Sequence, residues 1–210
     1  MSKIKAVIFD MDGVLIDARD WHYEALNRAL GLFGYSISRH DHLVTFDGLP
    51  TRKKLELLTR ERGLPAALHA FINDLKQNYT SELVHRHCRP CFAHEYALAR
   101  LRADGYRLAV ASNSIRASIE LMMERSALGG QLDLIVSNQD VAVGKPDPAI
   151  YLKAIAGLGV TAGETLVVED NPNGIAAARA AGAHLMVVGG PPEVTYEHIR
   201  RNIDRAEGQP

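Results

Sequence analysis

Asp10 and Asp12 close the first apolar run of the chain, Ala6-Val7-Ile8-Phe9, and Gly13 follows them directly. Other reactive groups stand in the same relation to later apolar runs. Ser112-Asn113-Ser114 follows Leu108 to Ala111, and Lys145 lies in Gly144-Lys145-Pro146-Asp147-Pro148 downstream of Leu132 to Val136. Glu169-Asp170-Asn171-Pro172-Asn173-Gly174 follows Thr165 to Val168. Asp10, Asp12, Glu169 and Asp170 crowded at one place would repel one another unless a cation or a proton compensated them. Magnesium suits such a set, because it prefers oxygen ligands and keeps coordination positions open for a phosphate oxygen. The ion and Lys145 together would neutralise a bound phosphoryl group and the charge that spreads over it during transfer. Asp10 is then the carboxylate nucleophile toward phosphorus. Asp12, on the same side of an extended backbone, donates a proton to the leaving oxygen and later accepts one from water. Ser112, Asn113 and the backbone N–H groups at the start of the next helix form an anion seat.

These residues share a site only if the apolar runs are neighbouring strands. Ala6 to Phe9, Leu108 to Ala111, Leu132 to Val136, Thr165 to Val168 and His184 to Val188 are β-rich and too short for helices, as strands buried on both faces should be. Helical spacing separates the later runs, at Phe92 to Ala103, Ile115 to Ala127, Ile150 to Leu158 and Gly174 to Ala181. Alternating strand and helix predicts a Rossmann-like α/β core: a parallel sheet of about five strands, helices on both faces and right-handed crossovers. In an open sheet of that kind, ligands bind beyond the carboxyl ends of the strands. The alternation breaks between the first and second runs. Trp21 to Leu32, Arg52 to Arg62 and Ala66 to Val84 read as consecutive helices, punctuated by Gly34, Gly48-Leu49-Pro50 and Gly63-Leu64-Pro65. The expected division is therefore 1–16 with 87–210 as the core and 17–86 as an inserted helical bundle, hinged near Asp17 and across His85 to Pro90. Glu193 to Pro210 reads as a short terminal helix.

Composition narrows the function classes. The 210 residues are 47% hydrophobic and 23% charged with a formal net charge of -1, an ordinary balance for a globular protein. Nothing in it favours nucleic acid or an anionic membrane, each of which calls for a clustered excess of Lys and Arg. A small metabolite is the better partner. No apolar stretch approaches a membrane span, and the first run is broken by Asp10 before it reaches signal-peptide length, so the expected location is cytoplasmic. The two cysteines, Cys88 and Cys91, lie within His85-Arg86-His87-Cys88-Arg89-Pro90-Cys91-Phe92-Ala93-His94. Tetrahedral zinc takes such ligands, but there is no second Cys pair and helix-forming sequence follows at once, which favours an ordinary packed segment.

In Val7 to Asp17, Ala109 to Ser114, Gly144 to Pro148 and Val167 to Ala178 the chain resembles the haloacid dehalogenase superfamily. The resemblance is to the phosphatase branch with a small helical cap, the branch of beta-phosphoglucomutase and phosphoglycolate phosphatase. It covers nearly the whole chain, with all four motifs in family order. It implies that Asp10 is nucleophile and metal ligand and that Asp12 is general acid and base, with its carbonyl also on magnesium. It implies further that Asp170 binds the metal, with Glu169 bound directly or through water, and that Ser112, Asn113 and Lys145 hold the phosphoryl group. Asp12 and Asp170 separate the chain from the family's dehalogenases, which lack the second aspartate and the metal. Asp12 also argues against carbon–phosphorus cleavage, for which the family replaces the second aspartate and uses a cap lysine, even though Lys53 and Lys54 are present.

Cap residues carry the choice of substrate in this reading. His22 corresponds to a hinge histidine of the mutase-like members, and it also suits simple packing beside Trp21 and Tyr23. Phe46 to Arg52 resembles the family's specificity loop, with Arg52 suited to an anionic group and Thr51 to a hydroxyl; the local alternative is a helix start capped by Thr51. Ser114 likewise reads as a helix N-cap or a substrate contact. Lys76, Arg116 and Asn138 default to surface positions, with contact to substrate as the alternative. Ala18 stands where mutases carry a threonine, which favours release of phosphate to water. The expected function is a magnesium-dependent phosphatase of a small phosphorylated metabolite, a sugar phosphate in the first instance. The alternatives are a phosphomutase and a non-catalytic regulator that binds a phosphometabolite.

Overall fold

The computed structural model describes residues 3–46 and 48–208. The chain divides into two compact units, residues 1–17 with 89–210 and residues 18–88.

The first unit is built on five parallel strands: β1 (Ala6–Phe9), β2 (Arg107–Ala111), β3 (Leu134–Val136), β4 (Thr165–Glu169) and β5 (His184–Val187). Their order across the sheet is β3-β2-β1-β4-β5. β1 is therefore central, with Phe9 in register with Val110 on one side and Val168 on the other. All four of its residues are buried, which is why its sequence is continuously apolar rather than alternating. In chain order, the helices of the two units are α1 (Arg19–Gly31), α2 (Arg39–Asp41), α3 (Thr51–Arg62), α4 (His69–His87), α5 (Phe92–Ala103), α6 (Arg116–Arg125), α7 (Ala149–Gly157), α8 (Pro172–Ala180) and α9 (Tyr196–Ala206). Those from α5 onward belong to the first unit. Ala6, Ile8, Ala109, Ala111, Val136 and Val167 pack on one face against Ile150, Tyr151, Ala154 and Leu158 of the α7 segment and Ala177 and Ala178 of α8. Small side chains on α8 and the strands let helix and sheet approach closely.

The second unit, α1 to α4, has a core of its own: Leu26, Ala29, Leu30, Ile37, Phe46, Leu55, Leu58, Leu64 and Ile72. Leu26, Ala29 and Leu30 are the i, i+3, i+4 stripe of an amphipathic helix. Gly63 ends α3 at φ 72°, where a side chain would be strained, and the Leu64 N–H then reaches back to Leu58 O at 3.4 Å. Thr51 is not the cap of α3, as its local sequence predicted. Pro50 occupies that position, with extended backbone and no side-chain hydrogen bond, and Thr51 is the first helical residue. A wide π turn over His42–Phe46 has no counterpart in the sequence expectations. Asp47, in the loop expected to choose substrate, and the chain ends Met1, Ser2, Gln209 and Pro210 lie outside the described residues. Among the described residues no helix is long and apolar enough to cross a membrane.

Glu164 ties β1 to β4 at the end of the sheet away from the polar loops. Its carboxylate pairs with Lys5 and caps the Ala162–Glu164 turn through Thr161 N–H (2.9 Å) and Oγ1 (3.0 Å). The Lys5 contact first, and then the Thr161 bonds, hold its pKa down from 4.5 to about 2. A depressed carboxylate contributes stability above its unfolded value, and that contribution is lost as pH falls from 4.5 toward about 2. Glu164→Gln is expected to flatten the acid limb of a stability-against-pH curve in that window and to leave the neutral limb with its original slope, as measured by urea unfolding at each pH.

Candidate active site

Asp10 begins the loop after β1, and its backbone N–H still donates to Val168 O at 3.0 Å, so the carboxylate issues from the centre of the sheet. Lys145 enters from the loop after β3. Its Nζ lies 2.6 Å from Asp10 Oδ1 and 2.6 Å from Glu169 Oε1, and all three residues are buried. Asp10, Glu169 and Asp170 offer oxygens that all lie within 4.8 Å of one another. Burial pushes the Asp10 carboxyl well above the usual range; Lys145 opposes the shift while Glu169 and Asp12 add to it. For Lys145, burial acts to lower the pKa, but Asp10 and Glu169 outweigh it and hold the ammonium charged. One ammonium among these carboxylates leaves the cluster with an excess of negative charge. A hard dication answers both the charge and the all-oxygen donor set, so the residues fit magnesium.

Glu169 is more tightly engaged than its sequence context predicted. Oε1 accepts from Lys145 Nζ and from the Tyr151 hydroxyl at 2.7 Å, while Oε2 accepts from the Asp170 and Asn171 N–H groups at 2.9 and 3.0 Å. Tyr151, fully buried on α7, also presents its ring to the Lys145 ammonium, 4.7 Å from Nζ to the ring centroid. Its hydroxyl is held protonated by burial first and by Glu169 next. In sequence Tyr151 is one more apolar helix position, since periodicity says which face a residue is on and nothing of what its hydroxyl meets. The Glu169 carboxylate fills the space over Gly174. A Cβ there would stand 1.6 Å from Oε1, and one on Gly13, at φ 86°, would stand 2.1 Å from Asp170 Oδ2. Gly174→Ala is accordingly expected to displace Glu169 and lower stability by about 2 kcal/mol or more, with kcat falling alongside; a melting scan and a phosphate-release assay measure the two.

Past β1 the chain bends at Met11, and Asp12 sits in an isolated bridge to Ile16. The chain turns at once, with Leu15 and Ile16 N–H both donating to Met11 O at 3.0 and 2.9 Å and Gly13 N–H donating to Ile16 O at 2.8 Å. There the Asp12 carboxylate meets Ser114 Oγ, which donates to Oδ2 at 3.0 Å. Ser114 does not cap α6, whose N-cap is Ile115 without a side-chain bond. Ser112 is buried at the end of β2, its N–H donating to Val136 O at 3.0 Å and its Oγ accepting from Ser114 N–H at 3.1 Å. Asn113 spends its amide on the main chain of Lys145: Oδ1 accepts from Lys145 N–H at 2.9 Å and Nδ2 donates to Lys145 O at 3.3 Å. A Cβ on Gly144 would strike Asn113 Oδ1 at 2.5 Å, so the glycine is what admits this clasp.

In the helical unit His22 Nδ1 lies 3.2 Å from the Nζ of Lys76, which is buried and not at the surface as expected. Arg52 is exposed and bonds Glu56 at 2.9 Å. Asn138 donates to Asn113 O at 2.8 Å and Arg116 to Asp140 at 2.8 Å, both inside the first unit. Cys88 is buried and Cys91 exposed, both free thiols, and His94 Nε2 bonds Pro191 O at 2.9 Å. Among the described residues only Asp10, Glu169 and Asp170 gather as metal-ligand types.

The sequence profile of haloacid dehalogenase-like hydrolases matches residues 7–188. The chain belongs to that family. A phosphorylated carbohydrates phosphatase of Thermotoga maritima is 30% identical over 184 residues, which are 85% of this chain and 82% of that protein. Among solved structures, CbbY from Rhodobacter sphaeroides, crystallised with phosphate, is 25% identical with a TM-score of 0.80 over 88% of this chain and 85% of its own. Beta-phosphoglucomutase from Clostridium difficile, at 21% identity and a TM-score of 0.84 over 98% and 100%, shares the fold. Within the haloacid dehalogenase-like hydrolases this chain is an enzyme of the phosphatase kind.

Proposed function

We propose that this hydrolase releases phosphate from a small phosphorylated metabolite, a sugar phosphate in the first instance, through a phosphoryl group carried on Asp10. The observation that carries the reading is the Asp10 carboxylate held by Lys145 at the centre of the sheet, within 4.8 Å of Glu169 and Asp170 oxygens. A carboxylate so placed attacks phosphorus, Asp12 protonates the leaving oxygen, and Asp12 then takes a proton from the water that frees Asp10. Lys145 holds Asp10 in place and sets a positive charge beside the transferring group. The Ser112 hydroxyl and the Asn113 N–H seat the phosphoryl oxygens; the Asn113 side chain contributes by clasping the Lys145 loop. Asp10, Asp170, the Asp12 carbonyl and Glu169 would hold magnesium, which supplies Lewis-acid charge to the phosphoryl oxygens when bound.

His22, Thr51 and Arg52 are proposed to select the ester, and the cytoplasm to be the site of action. A phosphate-release screen over sugar, polyol, nucleotide and amino-acid phosphates, run with magnesium and with EDTA, tests the whole reading. Magnesium-dependent release from sugar phosphates is the expected result. Turnover that needs a sugar bisphosphate activator and releases little phosphate would mark a mutase, and binding without turnover across the panel would mark a regulator. Alanine at each of the three selecting residues is expected to reorder the substrates.

A further inference from the structure

The turn bonds around Met11 and Gly13 fix the main chain of Asp12 but leave its carboxylate to two side-chain torsions. Ser114 Oγ donates to Asp12 Oδ2 at 3.0 Å from a position 102 residues away. The serine is itself fixed. Its N–H donates to Ser112 Oγ at 3.1 Å, its carbonyl accepts from Asn138 N–H at 3.2 Å, and Asn138 Nδ2 donates to Asn113 O at 2.8 Å. A serine just ahead of a helix ordinarily caps it, yet α6 begins after Ile115 with no side-chain cap. The hydroxyl is committed to the aspartate instead.

We propose that Ser114 is a positioning residue that aims the Asp12 carboxylate at the leaving oxygen of the substrate. The inference rests on Asp12 being the proton donor and acceptor proposed above. With the serine hydrogen on Oδ2, the proton that Asp12 delivers sits on Oδ1, so this hydroxyl bears on both the direction of the group and the oxygen that carries the proton. In the first half-reaction that proton moves to the bridging ester oxygen as its bond to phosphorus breaks and the Asp10–phosphorus bond forms. In the second, a water gives a proton to Asp12 as its oxygen bonds phosphorus and the Asp10 oxygen leaves. Misplacing a catalytic group by about 1 Å costs on the order of a hundredfold in rate. The need for aim depends on the leaving group. An alkoxide cannot depart without the proton, whereas p-nitrophenolate departs without help.

Ser114→Ala and Ser114→Thr, each checked by thermal melting, are to be compared with the unaltered enzyme on p-nitrophenyl, phenyl and benzyl phosphate, following the phosphorylation step by rapid mixing. Ser114→Ala is expected to leave the p-nitrophenyl phosphate step within about twofold and to slow the benzyl phosphate step by about tenfold to a hundredfold, with KM little changed. Ser114→Thr, which keeps the hydroxyl, is expected to restore most of the loss. Equal losses on all three esters, no loss on any, or a raised KM with kcat intact would overturn the proposal, the last by showing that Ser114 binds substrate. Asp12→Asn assayed in parallel separates the two levels. If it retains benzyl phosphate turnover, the proton role of Asp12 has failed and the Ser114 role with it. If it loses that turnover while Ser114→Ala does not, the positioning role alone has failed.

Discussion

Asp10→Asn is expected to lower kcat by a factor on the order of 10⁴ or more while the protein stays folded. The amide has nearly the shape of the carboxylate but no oxygen able to attack phosphorus, so no phosphoryl group accumulates on the chain. Stability should change in the opposite sense to activity. Burial already pushes the Asp10 carboxyl up, with Glu169 and Asp12 adding to the shift and Lys145 only opposing it, which means the site resists a further negative charge in the metal-free protein. A raised folded pKa contributes stability that is fully present below the ordinary aspartate value and is lost as pH rises through the folded one. The neutral amide removes that loss. The metal-free variant should therefore match the unaltered protein at low pH and show a smaller decline above it, with a melting temperature at neutral pH no lower than that of the unaltered protein. Rapid-quench trapping of phosphorylated protein and a pH series of melting curves measure the two halves, and full magnesium-dependent turnover by Asp10→Asn would end the nucleophile assignment.

Lys145→Met is expected to damage stability and catalysis together. Methionine fills nearly the same volume, so the change isolates the ammonium. Its removal leaves Asp10 and Glu169, with side chains 10% and 1% exposed, facing each other without the cation that bridges them. Breaking a buried ion pair by deleting one partner costs about 3–5 kcal/mol, which for a chain of this size corresponds to a melting temperature lower by about 10 °C. Turnover should fall by about 10²–10³, the scale of losing one positive group beside the transferring phosphoryl. Magnesium distinguishes this account from simple loss of packing. If the residues gather around a dication, magnesium should raise the melting temperature of Lys145→Met more than that of the unaltered protein, because it supplies charge the variant lacks. A variant as stable in EDTA as the parent, or one indifferent to magnesium, would contradict the charge balance described for the site.

The strands are legible in the sequence for a physical reason. A strand of a parallel sheet covered on both faces has no solvent side, so Ala6 to Phe9 and Thr165 to Val168 are uninterrupted apolar runs that no short helix needs. The reactive residues are legible because strand ends are where an open sheet presents ligand-binding groups, and the runs ending at Phe9, Ala111 and Val168 are followed by residues too polar to bury without function. Edges are less legible. β3 is only three residues, Leu134–Val136, because the preceding residues turn through Gly129–Gln131 before pairing begins. The π turn at His42–Phe46 leaves no periodic signature.

What the sequence determined alone is the kind and order of the reacting groups: a carboxylate pair, a hydroxyl with an amide, an ammonium and a second carboxylate pair, the carboxylates, the hydroxyl and the amide just past apolar runs and the ammonium further downstream of one. Those facts are local, written in single residues and their neighbours. Only the tertiary structure decided that β1 lies between β2 and β4, so that residues 10, 112 and 169 issue from adjacent strands with Lys145 among them. It also decided how the hydrogen bonds are shared: Asn113 given to the Lys145 main chain, Tyr151 to Glu169, Ser114 to Asp12. Such pairings join residues 18 to 102 positions apart. They depend on which side chains packing brings within about 3 Å of each other, a distance no pattern along the chain encodes.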